Sequence, residues 1–247
     1  MIVPPEAEQK RKESDMLKAF RRTIRRREDL PELEKEKAPD ALLMNETRQK
    51  ILQFLCKHPC VHLSGIAKDL DLSFNASKWH LNKMVANKML MTRKIGNKLV
   101  YFPTDMIETD DIELLAIANN ERNRPIIKLV NRTPGITQKE ICDATKRKQQ
   151  TIVADIILLE DKGLIRSKKD GKYRRYYPTD ILLKRVKATR KRSNQFRQHL
   201  LNSLINDGVE PVILRSTDKK IYIQILSGKE RSNLIITINP FEEIISL

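Results

Sequence analysis

The chain is poor in glycine, with 7 in 247 residues, and poor in aromatics, with one Trp, five Tyr and six Phe. Few glycines argue against Gly-rich phosphate loops, and few aromatics against the stacking platforms that bind single strands. No stretch approaches the ~18 consecutive apolar residues of a membrane span. The first residues lack the apolar core of a signal peptide. Three cysteines, an odd number, are expected to be reduced thiols of a cytoplasmic protein. Also missing are a P-loop, a dinucleotide fingerprint, a serine elbow and a carboxylate pair flanking a nucleophile, so neither an enzyme nor a cofactor is expected. Basic charge is what the sequence has in abundance. Its net charge of +16 suits a polyanionic partner.

That charge is localised. Residues 1–43 carry 11 basic and 10 acidic side chains. Residues 44–107 net +6, 108–119 net −4, 120–181 net +7, 182–206 net +7 and 207–247 net −1. A positive region confined to the middle of the chain is the footprint of a nucleic-acid binder.

The same region repeats itself. Shifted by 75 without a gap, Asn45-Glu46 falls on Asn120-Glu121, Ile51 on Ile126, Pro59 on Pro134, Ile66 on Ile141 and Gly96 on Gly171. Tyr101, Pro103, Thr104 and Asp105 fall on Tyr176, Pro178, Thr179 and Asp180, and apolar positions such as Leu81/Ile156 and Met84/Leu159 correspond. A register held over roughly sixty positions means two copies of one small domain.

Each copy reads as three helices followed by a hairpin. In the first, Ile51, Leu52 and Leu55 form a helical stripe, and Leu63, Ile66, Ala67 and Leu70 a shorter one. Asp71-Leu72-Ser73 breaks the chain, with Ser73 as N-cap of a third helix over about 74–87 that turns Ser77, Leu81, Met84 and Val85 inward. Strands are expected over 89–95 and 98–102 around Gly96-Asn97. Asp170-Gly171 predicts a type I′ turn in the second copy. Val61 through Met89 and Ile136 through Leu164, each followed by a basic hairpin ending in Tyr-aromatic-Pro-Thr-Asp, resemble winged helix-turn-helix domains of the ArsR/MarR-like transcription regulators. The tandem layout, covering residues 45–181, is similar to regulators from archaea. The resemblance implies a third helix that enters the major groove and a hairpin that reaches the backbone or minor groove.

Outside the repeat the signals are weaker. Met16–Arg27 is a basic amphipathic stretch followed by a charged linker, and 108–119 has helical spacing at Ile112, Leu115, Ile117 and Ala118. Residues 182–206 predict one long helix with Leu182, Val186, Phe196, Leu200 and Leu204 on a stripe. Val212–Leu214, Ile221–Leu226 and Leu234–Ile238 predict a small antiparallel sheet.

The expected DNA contacts follow from position within the helix-turn-helix. In the first copy they are Ser73, Asn75, Lys78, Asn82 and Lys83, since Asn pairs with adenine and Lys reaches guanine or phosphate. An ordinary solvated helix face would be polar too, and only the motif selects these residues. Trp79 and His80 fit packing against the wing at least as well as base contact. In the second copy Lys146, Arg147, Lys148, Gln149 and Gln150 crowd the start of the third helix. Its body is apolar nearly all round, from Ile152 to Leu159, and Asp155 stands where the first copy has His80. Such a helix is expected to pack against another element or subunit. The wings add Arg93, Lys94 and Lys98, and then Arg166, Lys168, Lys169, Lys172, Arg174 and Arg175. Edge protection of a hairpin does not require six cations in ten positions, so backbone contact is the better reading.

Cys56, His58, Cys60 and His62 are metal ligands by type, but they alternate, unlike zinc clips, and the second copy has Asn131, Thr133, Gly135 and Thr137 there. No metal is expected. The sequence thus predicts a mainly α protein with small β elements. Its parts are a basic helix and linker (1–43), winged helix-turn-helix 1 (44–107), a linker (108–119), winged helix-turn-helix 2 (120–181), and a long helix with a small C-terminal β-rich domain (182–247). The expected function is sequence-specific duplex DNA binding in transcription regulation. Further expected partners are a second copy through 182–206 and the basal transcription machinery, with no membrane. The rival reading is a tandem winged-helix scaffold for protein partners in a transcription or chromosome complex.

Overall fold

A computed structural model describes residues 41–245. The expectations for residues 1–40, the basic amphipathic helix and most of the charged linker, lie outside the described residues. The chain from Ala41 onward forms one compact unit, and Ala41, Leu42 and Leu43 are already buried in its core.

Helix α1 (Glu46–Lys57) begins where the Asn45 side chain accepts from the Arg48 amide at 3.1 Å. It buries Ile51, Leu52, Leu55 and Cys56. A two-residue strand β1 (Val61–His62) leads into α2 (Leu63–Asp69), which the His62 ring caps through Nδ1. Helix α3 (Phe74–Ala86) starts at Ser73, whose hydroxyl accepts from the Ala76 amide at 3.2 Å. Losing such a cap costs about 1 kcal/mol. Ser77, Leu81 and Met84 are its buried face. Strands β2 (Leu90–Ile95) and β3 (Lys98–Pro103) pair antiparallel, and β1 adds to β3 with Val61 opposite Tyr101.

After a 3₁₀ turn at Thr109–Asp111 and a short α4 (Ile112–Ala118), the plan recurs. It comprises α5 (Arg124–Arg132), β4 (Ile136–Thr137), α6 (Gln138–Thr145), α7 (Gln149–Asp161), β5 (Ile165–Asp170) and β6 (Tyr173–Pro178). Both ends of β1, α3, β2 and β3 reappear 75 positions later as β4, α7, β5 and β6. Two small antiparallel sheets with the order β1-β3-β2 and β4-β6-β5 result, as repeated winged-helix units would give. The sequence reading missed β1 and β4, because two residues carry no period. It also placed the second turn one residue early: Asp170 pairs with Tyr173, and the turn is Gly171-Lys172. In both hairpins only the first turn residue is left-handed, Gly96 at φ +55° and Gly171 at +58°. That is the pattern of type II′, not the expected I′.

The single long helix expected over 182–206 is two, α8 (Ile181–Ala188) and α9 (Arg190–Asn206), meeting at Thr189. The Thr189 hydroxyl donates to the Arg185 carbonyl at 2.7 Å, and Ser193 donates to the Thr189 carbonyl at 3.1 Å. Hydroxyls that bond back into their own helix bend it. Beyond lie β7 (Glu210–Ser216), β8 (Lys220–Ser227) and β9 (Glu230–Thr237), an antiparallel meander with Ile221, Ile223 and Ile225 alternating into the core. A last helix, α10 (Pro240–Ile245), was not foreseen. It buries Phe241 and Ile244.

The C-terminal sheet shares its core with the first unit. Strand β9 lies on α1, and Ser232 donates to Gln49 Oε1 at 2.9 Å. Leu182, Phe196, Leu200 and Leu204 are fully covered by the chain itself. The stripe offered as a dimer seam through 182–206 is therefore occupied within one chain, because the sheet and α10 supply the missing cover. The acidic linker is likewise consumed: Glu108 pairs with Arg192 at 3.1 Å, Asp111 with Arg185 at 3.1 Å and Glu113 with Lys162 at 2.9 Å. Burial raises the Asp111 carboxyl above its ordinary range, opposed by Arg185. Among the described residues no helix is long and apolar enough to cross a membrane.

Candidate nucleic-acid interface

The outer face of α3 follows from what its inner face buries. With Ser77, Leu81 and Met84 inward, helical spacing leaves Asn75, Lys78, Asn82 and Lys83 exposed, together with Phe74 and Trp79. The indole of Trp79 is 51% exposed. It meets the His80 ring edge-on at 4.8 Å between centroids, and Lys83 Nζ lies 4.6 Å over it. Trp79 and Lys83 thus pair on the outer face of α3. The signal for this was the place of Trp79 four residues before Lys83.

The second unit differs at the corresponding place. Lys146, Lys148, Gln149 and Gln150 are exposed at the start of α7, with Lys146 itself left-handed at φ +53°. Arg147 departs from expectation. Its guanidinium turns inward to the Asp155 carboxylate and donates to the Arg122 carbonyl at 2.7 Å, so it is spent on the protein's own structure. Arg122 meets the other oxygen of Asp155 at 2.9 Å. Asp155 is buried between two arginines and needs no cytosine or phosphate to explain it. Lys68, Arg122, Lys128, Arg132 and Arg147 also line a groove between the two units, which the sequence did not reveal because their spacing spans the repeat.

The wings are only partly free. Arg93 donates to the Thr109 carbonyl at 3.2 Å, while Lys94 and Lys98 are exposed. In the second wing Arg175 is held by Asp170 at 2.5 Å and donates to the Gly135 carbonyl at 3.1 Å. Arg174 lies 4.0 Å from Glu160. Lys168, Lys169 and Lys172 are exposed and have no salt bridge among the described residues. Arg166 lies 5.7 Å from the centre of the Tyr177 ring and Lys172 Nζ 5.2 Å over that of Tyr173.

Cys56 and Cys60 are buried, and burial pushes both thiols far above the ordinary range, which opposes thiolate ligation. No three His, Cys, Asp or Glu side chains converge as a metal site among the described residues. Burial, with help from the Arg124 and Lys57 charges, lowers His58 to about 4. The unfolded chain therefore takes up a proton from about pH 6.5 downward while the folded one does not. Stability is complete above pH 6.5 and falls by up to about 3 kcal/mol towards pH 4. Urea melts of the wild type and of His58→Gln across that range check this. The variant should lose the extra fall, and parallel curves would refute it.

Helix, short helix, turn, longer helix and basic hairpin recur along the chain, an element order consistent with repeated winged-helix units. In keeping with that order, residues 120–229 match the family described as Penicillinase repressor. The chain is also similar to an uncharacterized HTH-type transcriptional regulator of Methanocaldococcus jannaschii, 29% identical over 145 residues. That match covers 59% of this chain and 36% of the archaeal protein, so the chain spans about a third of its relative's length. The chain thus resembles winged-helix transcriptional regulators, archaeal ones among them. Among solved structures, Lactococcus lactis ZitR matches 60% of this chain and 96% of its own at 16% identity, with a TM-score of 0.24. IdeR of T. acidophilum matches 80% and 94% at 15% identity, with a TM-score of 0.21.

Proposed function

We propose that this protein is a sequence-specific, duplex DNA-binding transcription regulator built on two tandem winged helix-turn-helix domains, with α3 of the first as the reader. The observation that carries the proposal is the exposed set Asn75, Lys78, Asn82 and Lys83 on a helix whose opposite face is fully buried. Bidentate side chains on a rigid helix suit base edges in the major groove, and lysines on the hairpins suit phosphates. The similarity to HTH-type regulators supports the same reading. Because α1, α9 and the C-terminal sheet lock the first unit in place, its helix is presented without an ordering cost.

Substitution separates the two roles. Asn75→Ala or Lys78→Ala should each cost about 1–3 kcal/mol on a preferred duplex and flatten preference at the contacted base pair. Lys168→Ala with Lys169→Ala and Lys172→Ala should weaken all duplexes alike and lower the salt slope. Fluorescence anisotropy on preferred and scrambled duplexes reads both. Altered preference from the wing with none from the helix would reverse the assignment.

A further inference from the structure

The two winged units leave a cavity between them, with a volume of about 290 Å³. That is the small end of the ~300–1,000 Å³ of ligand sites. Val61 of β1 and Ile95 and Val100 of the first wing contribute to its wall, as do Ala116 and Ile117 of α4 and Leu158 of α7. These side chains are all aliphatic, and no Phe, Tyr or Trp lines the cavity among the described residues. A short saturated chain fits such walls, whereas an aromatic ring finds no ring to stack on.

Most of the polar lining is already committed to the protein itself. Glu121 accepts from Lys68 at 2.8 Å, and Asp155 lies between Arg122 and Arg147. The Asn123 amide donates to the Ile117 carbonyl at 2.9 Å. Lys98 is different: it is exposed and carries no salt bridge among the described residues. His62 shares the lining with it, and the His62 Nδ1 accepts from the Ser64 amide at 3.2 Å. The neutral ring therefore carries its proton on Nε2, which becomes a donor. Burial and the Lys98 charge hold the His62 pKa below its ordinary value, so the ring is neutral at pH 7. A cation without a counter-ion and an N–H donor thus share a cavity with aliphatic walls. We infer that this cavity binds a short aliphatic carboxylate, with its charged group at Lys98 and His62 and its chain against Ile95, Val100, Ile117 and Leu158.

Ligands of the opposite charge fit less well. A cation would reach Glu121 or Asp155 only by displacing the lysine or arginines already there, and it would meet Lys98. The neighbouring cationic groove shares Glu121 and Arg122 with this cavity. It suits a carboxylate less, because its Lys68, Arg122 and Arg147 are each paired within the chain.

The inference stands apart from DNA reading and is tested without DNA. Hexanoate is titrated to about 20 mM, at constant ionic strength, into the full chain with its Ile, Leu and Val methyl groups labelled for NMR. Saturable shifts are expected at Ile95, Val100, Ile117 and Leu158, with a dissociation constant on the order of 1 mM. Hexanol should bind at least about tenfold more weakly, and hexylammonium more weakly still. Lys98→Met keeps the aliphatic stem and removes the charge at an exposed position. It should raise the dissociation constant for hexanoate at least about tenfold, leave that for hexanol unchanged and leave circular dichroism unchanged. Shifts that do not saturate, or that fall outside the cavity, overturn the inference. So does hexylammonium bound as tightly as hexanoate, or hexanoate bound equally well by Lys98→Met.

Discussion

Raising salt from about 50 to about 200 mM is expected to weaken duplex binding by roughly 10²- to 10⁵-fold. Nine exposed lysines of the expected contact surface, none with a salt bridge among the described residues, decide the figure: Lys78 and Lys83 on α3, Lys94 and Lys98 on the first wing, Lys146 and Lys148 at the start of α7, and Lys168, Lys169 and Lys172 on the second wing. Each phosphate neutralised releases condensed counterions and adds ~0.9 to the log–log slope, which gives roughly four to eight when most of them engage. The arginines contribute less than their number suggests. Arg147 is bound to Asp155, Arg185 to Asp111, Arg192 to Glu108 and Arg175 to Asp170. Titrations at four salt concentrations measure the slope. A value near zero would mean that the basic surface does not face DNA.

Leu200→Ala should destabilise the chain by about 2–5 kcal/mol, and Leu200→Asp should prevent folding. Leu200 has no exposed surface and lies with Phe196 and Leu204 in the core that joins the C-terminal sheet to the first unit. The sequence alone offered the stripe of residues 182–206, Leu200 included, as a seam with a second copy. The burial of the stripe within one chain reverses that expectation. Because the units from Ala41 onward share one continuous core, the variant should lower the melting of both winged units together. Calorimetry with one cooperative transition is expected, and a separate, unshifted transition for the second unit would contradict the shared core.

The repeat was the most legible feature, because a fixed offset multiplies weak matches into one strong signal, and the ends of α3 and α7 follow it to the residue. The Ser73 cap and the inward face of α3 were also readable, since capping and helical period are local. What escaped depends on distant partners. Strands β1 and β4 exist only because β3 and β6 accept them. Helix α10 was hidden in six residues after the last strand. Arg147 looked like a DNA contact until the fold brought Asp155 beside it, eight positions on in sequence. The net −4 of residues 108–119, between segments of +6 and +7, was the visible sign of internal ion pairs, but a charge count does not say which arginine meets which acid.

Selection of duplexes from a randomised pool by the full chain, beside the same chain carrying Asn75→Ala and Lys78→Ala, tests the α3 reading most directly. The wild type should enrich one sequence motif at low salt, and the variant should retain duplex DNA without enriching that motif. Failure of the wild type to retain any duplex, or enrichment of the same motif by both chains, would contradict it.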